Sequence, residues 1–227
     1  MSEPNPVTVG TPDYADKQKG YFAGCRADYV NALPDDAKAA ILEIGCAEGA
    51  TGALALQSGK CGRYVGVELN AQAADIARSR LSEVVVGNVE SIELDFPPNS
   101  FDALIISEVL EHLVDPAAVL AKLRPYLKPG AKLFASSPNV SHHRVIRELV
   151  RGRWELTDRG VMDSTHLRWF TPSSYRALIE DAGFSVLKVA PVRPFSAKQR
   201  LINAATAGRF SHLLMTQISI FAVKREK

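Results

Sequence analysis

Short apolar runs alternate with segments of helical spacing along most of the chain. The apolar runs are rich in Val, Ile, Leu and Ala, which is typical of strands buried on both faces of a sheet. They fall at 39–44, 64–69, 84–86, 101–107 and 132–136, and the clearest helical spacing between them is at 70–81 and 116–127. This order predicts βα units, and hence a parallel sheet covered by helices on both faces.

The last part of the chain departs from this alternation. The Thr-Pro pair at 171–172 favours a helix start and Gly183 favours a stop, so a helix is predicted over 173–182. Strands are predicted over 184–192 and 217–224, with a long connection between them. Such a connection lets the last strand return as an antiparallel edge strand on the parallel sheet.

Three further helices are predicted, over 20–33, 140–154 and 196–207. Residues 1–18 are rich in Pro, Gly, Thr and Asp without periodicity, and we expect a flexible lead-in there. The remaining residues, 19–227, have the length of a single domain.

The first predicted strand runs into a turn with the sequence Glu-Ile-Gly-Cys-Ala-Glu-Gly at 43–49. A strand, turn and helix in this order bring backbone N–H groups up to a bound ligand. Counted from Gly45, the positions where a dinucleotide fingerprint needs glycine hold Ala47 and Ala50. Glu48 would repel a pyrophosphate but tolerates the sulfonium cation of S-adenosylmethionine. The turn therefore favours S-adenosylmethionine as the cofactor.

Polar side chains follow the next two strands. Glu68 lies about twenty residues after the turn, where a carboxylate can accept both hydroxyls of a ribose. Asn88 follows the third strand, and its amide can both donate to and accept from an adenine edge, with the Val89 backbone beside it. Strand-end acids and amides are also common without a ligand, so the prediction depends on their combination with the turn.

From residue 38 to about 134 the chain resembles the class I S-adenosylmethionine-dependent methyltransferases. Residues 43–49 match their first motif, Glu68 their ribose-binding acid and Asn88 their adenine-contacting position. Residues 101–112, Phe-Asp-Ala-Leu-Ile-Ile-Ser-Glu-Val-Leu-Glu-His, resemble the fourth-strand motif that ends beside the methionine moiety. The Lys-Pro-Gly-Ala sequence at 128–131 resembles the turn into the fifth strand.

The resemblance implies an α/β fold, a Rossmann-like, doubly wound, mostly parallel seven-stranded sheet with a final antiparallel strand. Ala47 stands where the family usually has glycine and Asn88 where it often has aspartate, and both replacements are tolerable. The candidate cofactor-binding residues are Glu43, Gly45, Cys46, Glu48, Gly49, Glu68, Leu69, Asn88, Val89, Glu90, Ser107 and Glu108.

Glu108, Glu111 and His112 share one face if a helical turn begins at Glu108. Two carboxylates and an imidazole suit a hard or borderline divalent metal ion. The resemblance adds that quinone-type O-methyltransferases carry a similar Glu-x-x-Glu-His run as a metal site. Relatives with this run are also described as metal-free, with the Glu and His shaping the pocket, and this alternative is favoured.

Within the segment 140–171, the helix predicted over 140–154 is followed by a long polar and aromatic loop at 157–172, which is uncommon unless it is functional. It resembles the Asp-x-Thr-His-Leu-Arg-aromatic-Phe-Thr signature of a bacterial methyltransferase subgroup linked with cell-surface polysaccharide and glycolipid assembly. The resemblance implies an acceptor-binding cover here. Candidate acceptor-binding residues are Arg144, Arg147, Arg168 and Trp169, and the arginines suit a phosphate or carboxylate. Candidate general bases are His166, His143 and His112, because imidazole titrates near physiological pH.

The bulk composition is that of an ordinary globular protein, with 46% hydrophobic and 23% charged residues among 227. A net charge of +2 and the acidic residues within 140–171 do not favour nucleic acid. Three cysteines without metal-ligand spacing, no membrane-spanning run and no signal peptide pattern predict a cytoplasmic protein, with the inner face of the membrane as an alternative.

The connection at 193–215 is basic and amphipathic. It is suited to an anionic lipid surface, and packing on this domain or on a second copy is the favoured alternative. The expected partners are thus a small-molecule or lipid-linked sugar acceptor, with peripheral membrane contact and a homodimer left open.

The predicted activity is O-methylation of a sugar hydroxyl in an anionic glycoconjugate or in its nucleotide- or lipid-linked precursor. A small phenolic or quinone acceptor is the alternative within the same chemistry. A nicotinamide-dependent oxidoreductase shares the opening βαβ unit, although Ala47 and Glu48 oppose it. A non-catalytic interaction protein that kept the fold is the remaining alternative.

Overall fold

A computed structural model describes residues 24–226, which form one seven-stranded sheet with helices on both faces. The strands are β1 (Ala40–Ile44), β2 (Arg63–Glu68), β3 (Glu83–Val86), β4 (Phe101–Ser107), β5 (Leu127–Pro138), β6 (Phe184–Pro191) and β7 (Gln217–Lys224). The α-helices are α1 (Ala27–Ala32), α2 (Ala50–Gln57), α3 (Ala71–Ala77), α4 (Pro116–Leu123), α5 (His143–Val150), α6 (Pro172–Asp181) and α7 (Ala197–Ala205). The predicted lead-in at 1–18 lies outside the described residues.

The strand order is β3-β2-β1-β4-β5-β7-β6. β7 is antiparallel to both of its neighbours, β5 and β6, and the other neighbouring pairs are parallel. The predicted doubly wound, mostly parallel sheet with an antiparallel strand is therefore confirmed. β7 is not an edge strand as expected, because it lies between β5 and β6. The strand order reverses beside β1, which is where open α/β sheets leave a crevice for ligands.

Alternating side chains of the central strands divide the core into two clusters, one on each face. Leu42 and Leu104 pack on the face covered by α4 and α6, whereas Ile41 and Ile105 pack on the face covered by α1, α2 and α3. All four side chains are completely buried. Burial of such side chains stabilises the fold by about 1.5–3 kcal/mol each, so the sheet is a rigid support for the loops at its ends.

Several elements begin or end at other residues than predicted. The helix predicted over 116–127 ends at Leu123, because Pro125 removes a backbone donor and the chain continues as a 3₁₀ turn over Arg124–Tyr126. The helix predicted over 140–154 is the shorter α5, and Gly152 adopts a left-handed conformation soon after its end. No helix among residues 24–226 is long and apolar enough to cross a membrane.

Three other predicted helices are also shorter in the structure, whereas the helix predicted over 173–182 is confirmed as α6, one residue earlier. Within 20–33 the described helix is α1, within 70–81 it is α3, and within 196–207 it is α7, which begins after a capping box formed by Ser196 and Gln199. The strand predicted over 132–136 is longer at both ends, since β5 spans Leu127–Pro138.

Candidate functional site

A cavity of about 880 Å³ lies at the carboxyl ends of β1, β2 and β4, in the crevice that the strand order creates. The turns after these strands line it, together with residues of the segment 140–171 and both ends of the connection between β6 and β7. Ten of the predicted cofactor-binding residues line the cavity: Glu43, Gly45, Cys46, Glu68, Leu69, Asn88, Val89, Glu90, Ser107 and Glu108.

The glycine turn after β1 requires glycine at its first position. Gly45 has a φ of 73°, and its N–H donates to the carbonyl of Val67 at 2.8 Å. A Cβ atom on Gly45 would stand 2.5 Å from Cγ2 of Val109, which is closer than real side chains approach. The turn therefore passes directly beneath the residues that follow β4, and its backbone faces the cavity.

Glu68, the last residue of β2, is held by two backbone donors. Its Oε2 accepts from the N–H of Ala47 and its Oε1 from the N–H of Asn70, both at 2.8 Å. The carboxyl is 6% exposed, and burial raises its pKa although the N–H groups oppose the shift. Because a carboxylate oxygen accepts more than one hydrogen bond, this fixed orientation leaves capacity for ligand hydroxyls.

Glu43 is a buried acid on β1 that faces the same cavity. The hydroxyl of Tyr64 donates to its Oε2 at 2.9 Å. Burial raises the pKa of Glu43 to about 8, and the negative charge of Glu68 adds to the shift. A bound cation stabilises the ionised carboxylate against both burial and the charge of Glu68. The site therefore favours a positively charged ligand near this carboxyl.

Arg26 lines the cavity and was missed by the sequence analysis. Its guanidinium donates to the hydroxyls of Ser107 and Ser136 at 2.6 and 2.7 Å, and it lies 3.6 Å from the centre of the Tyr29 ring. The residue precedes α1, whereas the sequence pattern placed it inside a longer helix. No spacing rule marks it, because its place in the cavity depends on packing against β4 and β5.

Two predicted cofactor residues, Glu48 and Gly49, are not among the residues that line the cavity. The carbonyl of Glu48 accepts from Arg80 at 2.9 Å, and its carboxylate lies 3.8 Å from the same guanidinium. Gly49 caps the N-terminus of α2 in a left-handed conformation and packs against Ala77. The acids of β1 and β2 that line the cavity are instead Glu43 and Glu68, at the ends of these strands.

Glu108 follows β4 in a left-handed conformation, with a φ of 55°. Gln217, the first residue of β7, donates to its Oε2 at 2.8 Å. The helical turn predicted from Glu108 is absent, because the chain first turns through this conformation and only then forms a 3₁₀ turn over Leu110–His112. Glu108 and Glu111 therefore do not stand on one helical face.

Glu111, His112 and His166 form a cluster whose candidate ligand atoms all lie within 4.8 Å of one another. His166 comes from the segment 140–171 and replaces Glu108 in the metal set that the sequence predicted. Glu111 is 1% exposed, and burial raises the pKa of its carboxyl well above the usual range, with the charge of Glu108 as a second cause. One carboxylate and two imidazoles suit a borderline divalent ion.

The hydrogen bonds of the two imidazoles define their tautomers. Nδ1 of His112 lies 3.2 Å from both the carbonyl and the hydroxyl of Thr165, and that hydroxyl donates to Asp163 at 2.7 Å. Nδ1 of His166 lies 3.2 Å from the carbonyl of Val161. Since these partners are acceptors, each neutral ring carries its proton on Nδ1 and has its lone pair on Nε2.

The segment 140–171 is divided between the cavity and the outer surface. Gly160, Val161, Asp163, His166 and Leu167 line the cavity. Five predicted site residues of this segment do not: His143, Arg144, Arg147, Arg168 and Trp169.

Each of these five has a contact elsewhere, and for Arg144 it is the backbone N–H, which donates to Nδ1 of His142 at 3.4 Å. Nδ1 of His143 lies 2.9 Å from the carbonyl of Leu213, and Arg147 pairs with Glu148. Arg168 donates to the carbonyl of Val114, and Trp169 packs against Trp154. Their predicted roles in acceptor binding and proton transfer stay predictions.

Arg193 and Gln217 line the cavity and were also missed by the sequence analysis. Arg193 follows β6. Because β5 and β6 are both antiparallel to β7, they point in the same direction. Gln217 begins β7, which runs in the opposite direction. The end of β6 and the start of β7 thus lie at the same edge of the sheet as the cofactor turn. The strand topology would have predicted this position for both residues.

The fold and this cavity define a methyltransferase of the S-adenosylmethionine type. A family model described as "Methyltransferase domain" matches residues 18–189. The chain therefore belongs to the class I S-adenosylmethionine-dependent methyltransferases, and S-adenosylmethionine is its cofactor. The residues fit that cofactor, because the cavity offers Glu68 for ribose hydroxyls and buried acids for a cation. Arg26 also lines the cavity, and its guanidinium is paired with Asp28 at 2.8 Å.

A ubiquinone biosynthesis O-methyltransferase from Xanthomonas oryzae is 35% identical over 121 residues, which are 50% of this chain and 49% of that protein. An uncharacterised transposon protein from Streptomyces fradiae is 28% identical over 73% of this chain and 48% of its own length. This chain thus spans about half the length of these curated relatives. An S-adenosylmethionine-dependent methyltransferase structure from Mesorhizobium loti matches with a TM-score of 0.60 at 16% identity, covering 87% of this chain and 96% of that chain.

Proposed function

We propose that the chain methylates a sugar hydroxyl. The sugar belongs to an anionic glycoconjugate or to its nucleotide- or lipid-linked precursor. The observation that carries the proposal is a set of buried carboxyl oxygens in the cavity. Both oxygens of Glu111 and Oε1 of Glu108 have no hydrogen-bond partner among the described residues. A buried carboxyl with a raised pKa both donates and accepts hydrogen bonds, and a substrate with several hydroxyls meets both needs.

A phenolic or quinone acceptor is the second candidate. The relatives named as ubiquinone biosynthesis O-methyltransferases support O-methylation of a small molecule, although they align with this chain over about half of their length. Among the described residues that line the cavity there is no Phe, Tyr or Trp. Aromatic ligands favour aromatic walls, so this absence supports a sugar over a phenol.

The cofactor supplies an electrophilic methyl group when it is bound. In the proposed arrangement Glu68 accepts the ribose hydroxyls, Asn88 contacts the adenine edge and Arg26 pairs with the carboxylate of the methionine moiety. These residues hold the cofactor in one orientation, and orientation of this kind supplies a large part of the rate enhancement of a group transfer.

His112 is the proposed general base, with His166 beside it. The centres of the two rings are 4.8 Å apart, and each neutral ring has its lone pair on Nε2. Asp163 and Thr165 orient His112 through its Nδ1–H, which is how a general base is usually held. Arg193, at the rim, is the proposed partner for an anionic group of the acceptor, since it lines the cavity.

A labelled-methyl transfer assay tests the proposal on a panel of nucleotide sugars, lipid-linked sugars, polysaccharide fragments and phenols. We expect transfer to a sugar, with His112→Ala lowering kcat by about 10²–10⁴-fold. Glu111→Gln should raise KM for the sugar, and Glu83→Gln, an exposed acid on β3, is the matched control. Transfer to phenols alone would assign the second candidate, and no transfer to any acceptor despite cofactor binding would support an interaction protein.

A divalent ion is the competing use of Glu111, His112 and His166. We expect methyl transfer to survive exhaustive chelation, because a His base needs no metal. Loss of activity on chelation, restored by one divalent ion and abolished by His166→Ala, would assign the three residues to a metal site instead. Equilibrium dialysis of the unliganded protein against Zn²⁺ and Mn²⁺ gives a readout that does not depend on activity.

A further inference from the structure

α5 exposes a strip of apolar side chains on its outer face. Ile146, Leu149 and Val150 are 39%, 43% and 83% exposed, and their spacing of three and four residues places them on one side of the helix. Val145 is the buried residue that anchors the helix. Trp154, which is 45% exposed, follows the helix. Exposed apolar residues grouped in this way mark interaction sites more often than single ones do.

Arginines occupy the neighbouring side of α5, where Arg147 adjoins Val150. Arg144, Arg147 and Arg151 recur at helical spacing, and Arg153 follows. Glu148 is the acid among them, and its carboxylate accepts hydrogen bonds from Arg147, Arg151 and Arg153. Three guanidinium groups around a single carboxylate leave an excess of positive charge beside the apolar side chains.

The segment around α7 repeats this combination. Leu201, Ile202 and Phe210 are 71%, 39% and 50% exposed. Basic side chains lie among them, and the whole segment 193–215 contains no Asp or Glu. The basic residues are Arg193, Lys198, Arg200 and Arg209.

α5 and α7 meet at one short turn, Ser211–Leu213. Nδ1 of His143, the first residue of α5, lies 2.9 Å from the carbonyl of Leu213. Gln199 of α7 donates to the carbonyl of Leu214 at 3.2 Å. The N-terminal ends of the two helices therefore lie beside this turn and the residue after it, Leu214. We call the exposed apolar and basic side chains of 144–154 and 198–210 the basic-apolar patch.

The segment that carries part of the basic-apolar patch begins and ends at residues that line the cavity. The connection that carries α7 leaves the cavity at Arg193 and returns to it at Thr216 and Gln217. The turn that both helices contact also accepts a hydrogen bond from Asn139, which follows β5. A surface on which the patch rests is therefore close to the entrance for the acceptor.

We propose that the basic-apolar patch docks the protein on an anionic phospholipid surface. Arginine and lysine side chains are attracted to phosphate headgroups, and the exposed Leu, Ile, Val, Phe and Trp side chains enter the boundary of the acyl chains. A symmetric contact between two copies would set the same positive charges against each other. Nucleic acid would neutralise the arginines but would leave the aliphatic side chains exposed. The proposal does not depend on the identity of the acceptor.

Co-sedimentation with vesicles tests the docking proposal on the full chain. We expect the wild type to bind vesicles of phosphatidylcholine with phosphatidylglycerol and not vesicles of phosphatidylcholine alone, with binding weakened by salt. The triple variant Lys198→Gln, Arg200→Gln, Arg209→Gln should bind about fivefold more weakly for each charge removed. The double variant Val150→Gln, Leu201→Gln should also lose binding, because it removes the apolar contribution.

The double variant Arg176→Gln, Leu187→Gln is the matched control, since it removes one charge and one exposed leucine outside the patch and should bind like the wild type. Calorimetry with S-adenosylhomocysteine checks that each variant is folded. Equal binding to both kinds of vesicle, binding to neither, or unchanged binding of the patch variants would overturn the proposal. A dimer in sedimentation equilibrium that the Val150, Leu201 variant abolishes, without vesicle binding, would assign the patch to a second copy.

Discussion

The N–H of Ala47 donates to Oε2 of Glu68 at 2.8 Å, which joins the turn after β1 to the end of β2. Ala47 has a φ of 50°, a conformation that non-glycine residues adopt only when neighbouring contacts hold it. The hydrogen bond is such a contact. The carboxylate thus orients the cofactor turn, and the turn in return orients the carboxylate.

Glu68→Gln tests this relationship. In the variant, the NH₂ group of the amide faces the N–H of either Ala47 or Asn70. Two donors cannot bond to each other, so one hydrogen bond is lost and the turn is displaced. We expect the Kd for S-adenosylhomocysteine to rise by about 10–100-fold, measured by calorimetry. Glu83→Gln at the exposed end of β3 should leave the Kd unchanged. An unchanged Kd for Glu68→Gln would remove this residue from the cofactor site.

Arg26→Gln should discriminate between ligands that differ in their charged tail. The guanidinium donates to Ser107 and Ser136 and is paired with Asp28 at 2.8 Å. In the proposed arrangement it also contacts the carboxylate of the methionine moiety. We expect the variant to bind S-adenosylhomocysteine about 10–100-fold more weakly and to bind methylthioadenosine, which has no carboxylate, as the wild type does. Equal weakening for both ligands would show that Arg26 acts on the fold rather than on the carboxylate.

Glu43→Gln should change how stability depends on pH. Burial raises the pKa of Glu43 from its ordinary value of 4.5 to about 8, so between these values the folded protein binds more protons than the unfolded chain. Stability of the wild type then falls as pH rises through this range. Relative to the wild type, the variant should gain up to about 1.4 kcal/mol per pH unit from pH 4.5 to 8 and nothing further above it.

Urea unfolding of the cofactor-free protein at a series of pH values measures this difference. Glu83→Gln is the control, because that acid is exposed and paired with Arg63. A difference between wild type and Glu43→Gln that is independent of pH would contradict the buried, protonated state of Glu43.

Gly45→Ala should be more destabilising than Gly130→Ala, although both glycines have a similar positive φ. Gly130 has a φ of 68° with no atom within 4 Å of an added Cβ, so its replacement reports the backbone cost alone, roughly 1–2 kcal/mol. At Gly45 the contact of 2.5 Å with Val109 adds about 1–3 kcal/mol. Urea unfolding of Gly45→Ala combined with Val109→Ala should recover part of the loss, and no recovery would contradict the steric cause.

The framework of the site was predictable because its residues have positions fixed by the ends of strands. A run of apolar residues that stops at Glu43 or Glu68 predicts where the strand meets its loop, and parallel strands bring these ends together. The chemical type of the site followed from the turn, since Ala47 and Ala50 stand where a dinucleotide needs glycine.

The acceptor side was less predictable, because it is built by long-range packing. His166 reaches His112 only after the loop bonds its backbone to the carbonyl of Glu111, through the N–H groups of Leu167 and Arg168. Spacing along the sequence placed Glu108 beside Glu111, but the left-handed conformation of Glu108 turns it toward Gln217. Arg144 and Arg147 were expected at the acceptor for their charge, and helical periodicity turns them outward on α5.

The position of β7 between β5 and β6 constrains the order of assembly. β6 precedes β7 in the chain, yet in this sheet it pairs only with β7. During synthesis β6 therefore has no strand to pair with until residues 217–224 have been made. Gln217 reaches Glu108 in the same event, so the cavity is completed together with the sheet. We expect a ribosome-bound fragment that stops short of β7 to form the cofactor turn but not the complete cavity.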